Sequence, residues 1–192
     1  MAWWLQGLFN SRLFVLEQLP THSTGVEIGV HKGDFSAQIL KVVRPKELHL
    51  IDPWHFEPTE TYKKAWYGGK ARGGQAEMDS RYQAVLARFS DPIGSGQVTV
   101  HRGFSTDVGA AFADQQFDWV YIDGNHLYEF VKKDLELFFN RVKVGGLLCG
   151  DDYASGGWWQ GGVKRAVDEF VRAFPVQVVM IRRRQFVLRR AK

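Results

Sequence analysis

A chain of 192 residues with 45% apolar and 14% aromatic side chains reads as one packed domain, long enough to bury roughly 70% of its unfolded surface. No apolar run approaches the ~20 residues that span a bilayer. The apolar start, Met1 to Phe9, lacks the basic region and small-residue cleavage site of a signal peptide. The net charge of +4 is unevenly placed: seven basic and no acidic residues lie beyond Glu169, and the remaining 18 basic and 21 acidic residues leave the body at −3.

In chain order, Trp3 to Leu19 reads as an apolar-faced helix, an N-terminal extension over residues 1–20 that covers a sheet edge or serves a homo-oligomer contact. Strand-like runs then alternate with helical patterns, the mark of a parallel α/β sheet. Gly25–Gly29 is the first strand, followed by a helix from about Phe35 to Val43 that Arg44-Pro45 ends. Leu48–Ile51 is the second strand and stops at Asp52-Pro53. A long polar stretch with Gly68-Gly69 and Gly73-Gly74 runs to about Asp79, where a helix resumes with Tyr82, Val85, Leu86 and Phe89 on one face. Residues 53–97 are therefore read as a lid or substrate insert, since long irregular stretches inside a domain are usually functional.

Val98–His101 is the third strand and Trp119–Ile122 the fourth; a helix from about Tyr128 to Asn140 follows. Gly145-Gly146 turns the chain into the fifth strand, Leu147–Cys149. In the last helix Val163, Ala166, Val167, Phe170, Val171 and Phe174 recur at helical spacing. Val178–Ile181 and Phe186–Leu188 form a C-terminal antiparallel hairpin. The sum is a Rossmann-like, seven-stranded, mostly parallel sheet with helices on both faces. The C-terminal arginines read as the solvated edge of that hairpin rather than as a nucleic-acid surface. The single cysteine, Cys149, reads as a small buried residue in a chain made for the reducing cytoplasm.

Two acidic stations carry the chemistry. Asp123-Gly124-Asn125-His126 follows the fourth strand and Asp151-Asp152-Tyr153 the fifth. Carboxylates at the ends of neighbouring parallel strands converge on the crevice where open α/β sheets bind ligands. Asp123, Asp151 and Asp152 offer hard oxygen ligands of the kind Mg2+ prefers, and His126 is the candidate base, largely neutral near pH 7. The plainer alternatives are a capping or turn pair for Asp151-Asp152 and a hydrogen-bonded structural imidazole for His126. At the first strand–helix turn, Glu27-Ile28-Gly29-Val30-His31-Lys32-Gly33 lets backbone approach a ligand. Its glycine spacing is not the dinucleotide fingerprint, which argues against a nicotinamide-dependent oxidoreductase. Asp52, ending the second strand, is placed to accept ribose hydroxyls, unless it only forms the turn before Pro53. His22, His49 and His55 receive no role, and His31 lines the pocket.

The acid followed by spaced glycines resembles the first motif of the class I S-adenosylmethionine-dependent methyltransferases. His101-Arg102-Gly103-Phe104-Ser105-Thr106-Asp107 is similar to the adenine-side segment of that fold, implying that Gly103, Phe104 and Ser105 join Glu27, Gly29, Gly33, Asp52 and Asp123 in holding the cofactor. Asp123 to Tyr128, Lys133-Asp134-Leu135, Val144-Gly145-Gly146 and Asp151-Asp152-Tyr153 look like the subfamily of macrocin and mycinamicin sugar O-methyltransferases and cephalosporin-hydroxylase-like proteins. That resemblance spans roughly Gly25 to Phe174 and implies Asp123, Asp151 and Asp152 on a metal and His126 as base. The expected activity is methylation of a hydroxyl on a small molecule such as a sugar or aromatic metabolite, with S-adenosylmethionine and Mg2+. Trp54, Trp66, Tyr67, Tyr128, Tyr153, Trp158 and Trp159 shape the acceptor pocket. A cofactor-binding protein without turnover and a nucleic-acid-directed methyltransferase are the competing readings.

Overall fold

A computed structural model describes residues 12–192; most of the N-terminal helix expected over Trp3–Leu19 lies outside the described residues. What is described of it is one turn, α1 (Leu13–Leu16), which buries Val15 and Leu16. The parallel strands are β1 (Thr24–Ile28), β2 (Glu47–Asp52), β3 (Val98–Arg102), β4 (Phe117–Ile122) and β5 (Val142–Gly150). The hairpin is β6 (Val176–Arg182) and β7 (Gln185–Arg190). Their order across the sheet is β3-β2-β1-β4-β5-β7-β6, with β7 antiparallel to both β5 and β6. The expected seven-stranded, mostly parallel sheet is thus present.

The order reverses between β1 and β4, which pair in parallel from Gly25↔Trp119 to Ile28↔Ile122. Chains leaving these two strands diverge to opposite sides, so a crevice opens at their carboxyl ends. All of β1 is buried, as a strand covered on both faces must be. Alternation assigns its neighbour's side chains: Trp119 and Tyr121 of β4 enter one core while Val120 and Ile122 enter the other.

The first core takes Phe35 and Ile39 of α2 (Asp34–Val42) and Met78 and Val85 of α3 (Gly74–Arg88). Two short helices follow α3 in the chain, α4 (Ser90–Gly94) before β3 and α5 (Ser105–Ala110) after it. The second core takes Leu135 and Phe138 of α6 (Tyr128–Arg141) and Val163, Val167 and Phe170 of α7 (Gly162–Ala173). Each apolar stripe read from helical spacing is the face that packs.

Two local expectations differ from the structure. The helix expected to resume near Asp79 starts at Gly74, because the Glu77 carboxylate accepts the Gly73 N–H at 3.0 Å and caps it. That opening turn lacks apolar periodicity, so the pattern hides it. Gly145-Gly146 is not a turn before a strand: β5 starts at Val142, directly after α6, and its register shifts opposite Phe117/Trp119. The glycines form an irregularity within the strand. Ser105, within the adenine-side segment His101–Asp107, begins the short helix α5.

Candidate active site

Two loops meet at the switch point. Gly29 leaves β1 at φ +94°, where L side chains are strained, and a Cβ there would overlap the Asp123 carbonyl. The glycine is therefore required twice, by its dihedral and by the close approach of the β4 loop. Gly33 sits at φ +77° just before α2, with a Cβ position 2.7 Å from the Phe89 ring. The helix N-terminus so formed borders a cavity of about 540 Å³, a size suited to a cofactor with a small acceptor.

Glu27, Gly29, Asp52, Phe104, Ser105 and Asp123 all line that cavity. Of the expected cofactor residues, Gly33 and Gly103 border it only through neighbours. Glu27 is fully enclosed and accepts the Ser36 hydroxyl at 2.5 Å. Burial raises its carboxyl to about 8, with Ser36 opposing the rise. Asp52 is likewise enclosed: its Oδ2 accepts the His31 N–H at 2.9 Å and the Tyr67 hydroxyl at 2.5 Å, and its Oδ1 accepts the Trp54 N–H at 2.7 Å. Burial raises its carboxyl, against the pull of these donors. A ribose hydroxyl reaching Asp52 would meet Tyr67 already there.

Farther along, Ser105 donates to Asp134 of α6 at 2.5 Å, and burial lifts that carboxyl to about 7. His31 Nε2 lies 2.8 Å from Arg81. Burial first, and Arg81 second, lower the imidazole to about 4, so His31 is neutral near pH 7.

The acidic stations converge as their strand ends require. Asp123, His126 and Asp152 present ligand atoms within 4.8 Å of one another. His126 Nε2 stands 3.4 Å from Asp123 Oδ1 and 3.3 Å from Asp152 Oδ2, yet neither ring nitrogen has a hydrogen-bond partner although both are buried. Burial alone would lower this imidazole; the carboxylates of Asp123, Asp152 and Asp151 outweigh it and raise the pKa. Trp158 and Trp159 enclose the ring at 5.7 and 5.0 Å between centroids. The two hard oxygens, Asp123 Oδ1 and Asp152 Oδ2, fit a small divalent cation, with the His126 imidazole beside them.

Asp151 turns another way. Its Oδ2 takes Arg12 Nε at 2.8 Å, while Arg12 Nη2 reaches Asp123 Oδ2 at 2.7 Å. Asp123 and Asp152 border the cavity and Asp151 does not. Arg184, in the β6–β7 turn, pairs with Asp152 from the other side. Neither arginine stands out in the linear pattern: Arg12 is the only Lys or Arg before Lys32, a faint signal, and Arg184 belongs to a run that reads as solvated. Tyr62 is equally silent in sequence, and its hydroxyl accepts the Asn125 amide at 2.6 Å.

A switch-point crevice with a glycine turn, an enclosed acid ending β2 and an acidic–imidazole cluster places this chain among the α/β proteins built to take a ligand at the strand ends. The profile of a family described as a methyltransferase domain matches residues 26–153, and the chain belongs to that family. It has the class I S-adenosylmethionine-dependent methyltransferase fold. No curated protein matches it. Among solved structures it is similar to the O-methyltransferase NovP, at 21% identity over 93% of this chain and 75% of that one, with a TM-score of 0.60. It is also similar to an rRNA methylase from Streptococcus thermophilus (15% identity, 95% of each chain, TM-score 0.58). A protein from Corynebacterium glutamicum aligns at 16% identity over 93% of this chain and 79% of that one, with a TM-score of 0.62. These likenesses speak to the fold. No helix among the described residues is long and apolar enough to cross a membrane.

Proposed function

We propose that this chain methylates a hydroxyl on a small molecule, a sugar or a glycosylated or aromatic metabolite, with S-adenosylmethionine as donor and a divalent cation, Mg2+, assisting. The observation that carries this reading is the unpartnered His126 Nε2, set between Asp123 and Asp152 on the wall of the cavity that the Gly29 turn also lines. A hydroxyl acceptor must lose a proton as its oxygen attacks the methyl carbon, while the carbon–sulfur bond breaks and its electron pair stays on sulfur. His126 is placed to take that proton at Nε2.

Asp123 and Asp152 would hold the cation, with Asp151 joining them if Arg12 yields. A bound divalent ion lowers the pKa of a hydroxyl and orients its oxygen. The protein's own contribution is positioning, which supplies much of the rate in a direct displacement. Tyr62, Trp66, Trp158 and Trp159 line the same cavity and offer flat apolar faces to a ring. The segment from Pro53 to Gly73 closes the opposite wall through Tyr67 and serves as a lid that keeps water out.

A small acceptor is favoured over nucleic acid because three of the six C-terminal arginines have local tasks: Arg182 lies 3.8 Å from the Phe14 ring, Arg184 holds Asp152, and Arg190 donates to the carbonyls of Phe139 and Val142.

The test is S-adenosylhomocysteine release with Mg2+ and a panel of glycosides, phenols and RNA. Turnover on a glycoside or phenol, lost in chelator and reduced in His126→Ala, is expected. Turnover on RNA alone, or full activity in chelator, would remove the acceptor or the metal from the reading.

A further inference from the structure

Most of the cluster's negative charge is met within it. Three carboxylates, Asp123, Asp151 and Asp152, face two guanidiniums and one imidazole. Arg12 takes Asp123 Oδ2 and Asp151 Oδ2, Arg184 takes Asp152 Oδ1, and Asp123 Oδ1 and Asp152 Oδ2 are left facing His126. While both guanidiniums stay in place, little negative charge is left to draw in a divalent ion.

The two arginines are held differently. Arg12 bridges two carboxylates and lies 5.4 Å from the Phe35 ring, with its side chain 34% exposed. Arg184 makes one ion pair, lies 5.4 Å from the Trp159 ring, lines the cavity, and is 52% exposed. Its backbone is fixed nonetheless. Arg183 and Arg184 form the two-residue turn between the paired Arg182 and Gln185, both at positive φ (49° and 70°), the geometry that tight hairpins need. The Arg184 carbonyl accepts the Tyr153 N–H at 2.9 Å, tying the turn to the loop that carries Asp152. A fixed backbone with a half-exposed guanidinium makes a counter-ion able to swing out without disturbing the sheet.

We propose that Arg184 is the resident counter-cation of Asp152 and that a divalent ion must displace it, so Arg184 sets how tightly the acidic cluster binds that ion. Arg184 is thus a positioning residue acting through Asp152. The proposal rests on the metal-assisted part of the proposed function and leaves the methyl donor and acceptor untouched.

The experiment titrates Mn2+ into the full chain without cofactor and reads the free ion by electron paramagnetic resonance. Arg184→Gln and Arg184→Asn remove the charge, and asparagine tolerates the left-handed backbone. Arg184→Lys keeps the charge. Charges a few ångströms apart at a partly exposed site interact strongly enough for a change of about tenfold. The neutral variants are expected to bind Mn2+ about tenfold more tightly than the wild type, with Arg184→Lys close to the wild type and the gain lost when Asp152→Asn is added. Equal or weaker binding in the neutral variants overturns the proposal. Absence of Mn2+ binding in every variant also overturns it, and takes the metal out of the proposed function. S-adenosylhomocysteine release, measured separately, reports on methyl transfer whichever result is obtained.

Discussion

At Glu27 a carboxylic acid is sealed in the sheet with one hydroxyl for company, and its raised pKa has a consequence for folding. The unfolded chain releases this proton near 4.5 and the folded chain near 8. Between those values the folded state binds more protons, so this residue's contribution to stability is complete below about pH 4.5 and is lost as pH rises toward 8. Glu27→Gln, which keeps a partner for Ser36, should therefore gain on the wild type as pH rises from 5 to 8 in thermal melts. A constant difference across that range would contradict the assignment. At Asp52, Tyr67→Phe frees one acceptor position for a ribose hydroxyl. One net hydrogen bond is worth about 1 kcal/mol, so S-adenosylhomocysteine should bind roughly fivefold more tightly by calorimetry; weaker binding would mean that Tyr67 helps to hold the cofactor. Gly29→Val should abolish that binding through the overlap with Asp123, whereas retained affinity would place the cofactor elsewhere.

Helices α6 and α7 pack one face of the sheet, and each directly follows the loop that leaves β4 or β5. Phe138 of α6 is fully buried in that core. Truncating a buried phenylalanine costs about 3–5 kcal/mol, and Phe138→Ala should lower the denaturant midpoint accordingly, with no change in the slope. A loss under 1 kcal/mol would show that the helix packs only loosely on the sheet. The hairpin works differently. Its outer strand β6 exposes Val178, Val179 and Ile181, while its turn carries Arg184 into the site, so one element serves both as sheet edge and as part of the cluster wall.

Across the whole molecule the cavity joins residues from both halves of the sheet, Asp52 and Tyr67 on one side of the switch point and Asp152 and Trp159 on the other. A ligand filling it ties those halves together. Saturation at a hundred times Kd adds about 2.7 kcal/mol to stability, which for a chain of this size corresponds to a rise of roughly 5–10 °C in Tm. S-adenosylhomocysteine should produce that rise by calorimetry and slow proteolysis between Pro53 and Gly73. No shift at high ligand would argue that the cavity does not take this cofactor.

The residues by themselves determined the sheet and the two acidic stations, because both write local signatures: continuous apolar runs for doubly covered strands, helical spacing for packed faces, and polar residues placed just past strand ends. Glycines at 29 and 33 and the acids at 27, 52, 123, 151 and 152 could be assigned to one crevice because parallel strands all end on the same side, although Asp151 turns from it to Arg12 and Gly33 meets it only through neighbours. Only the tertiary structure decided which partners those acids have. Arg12 and Arg184 lie 172 positions apart in the chain, and nothing periodic links them, so their convergence on three aspartates follows from where α1 and the β6–β7 turn come to rest. Tyr67 reached Asp52 in the same way. Electrostatic pairing acts through space without regard to spacing along the chain, which is why the acids could be read one by one and their balance of charge could not.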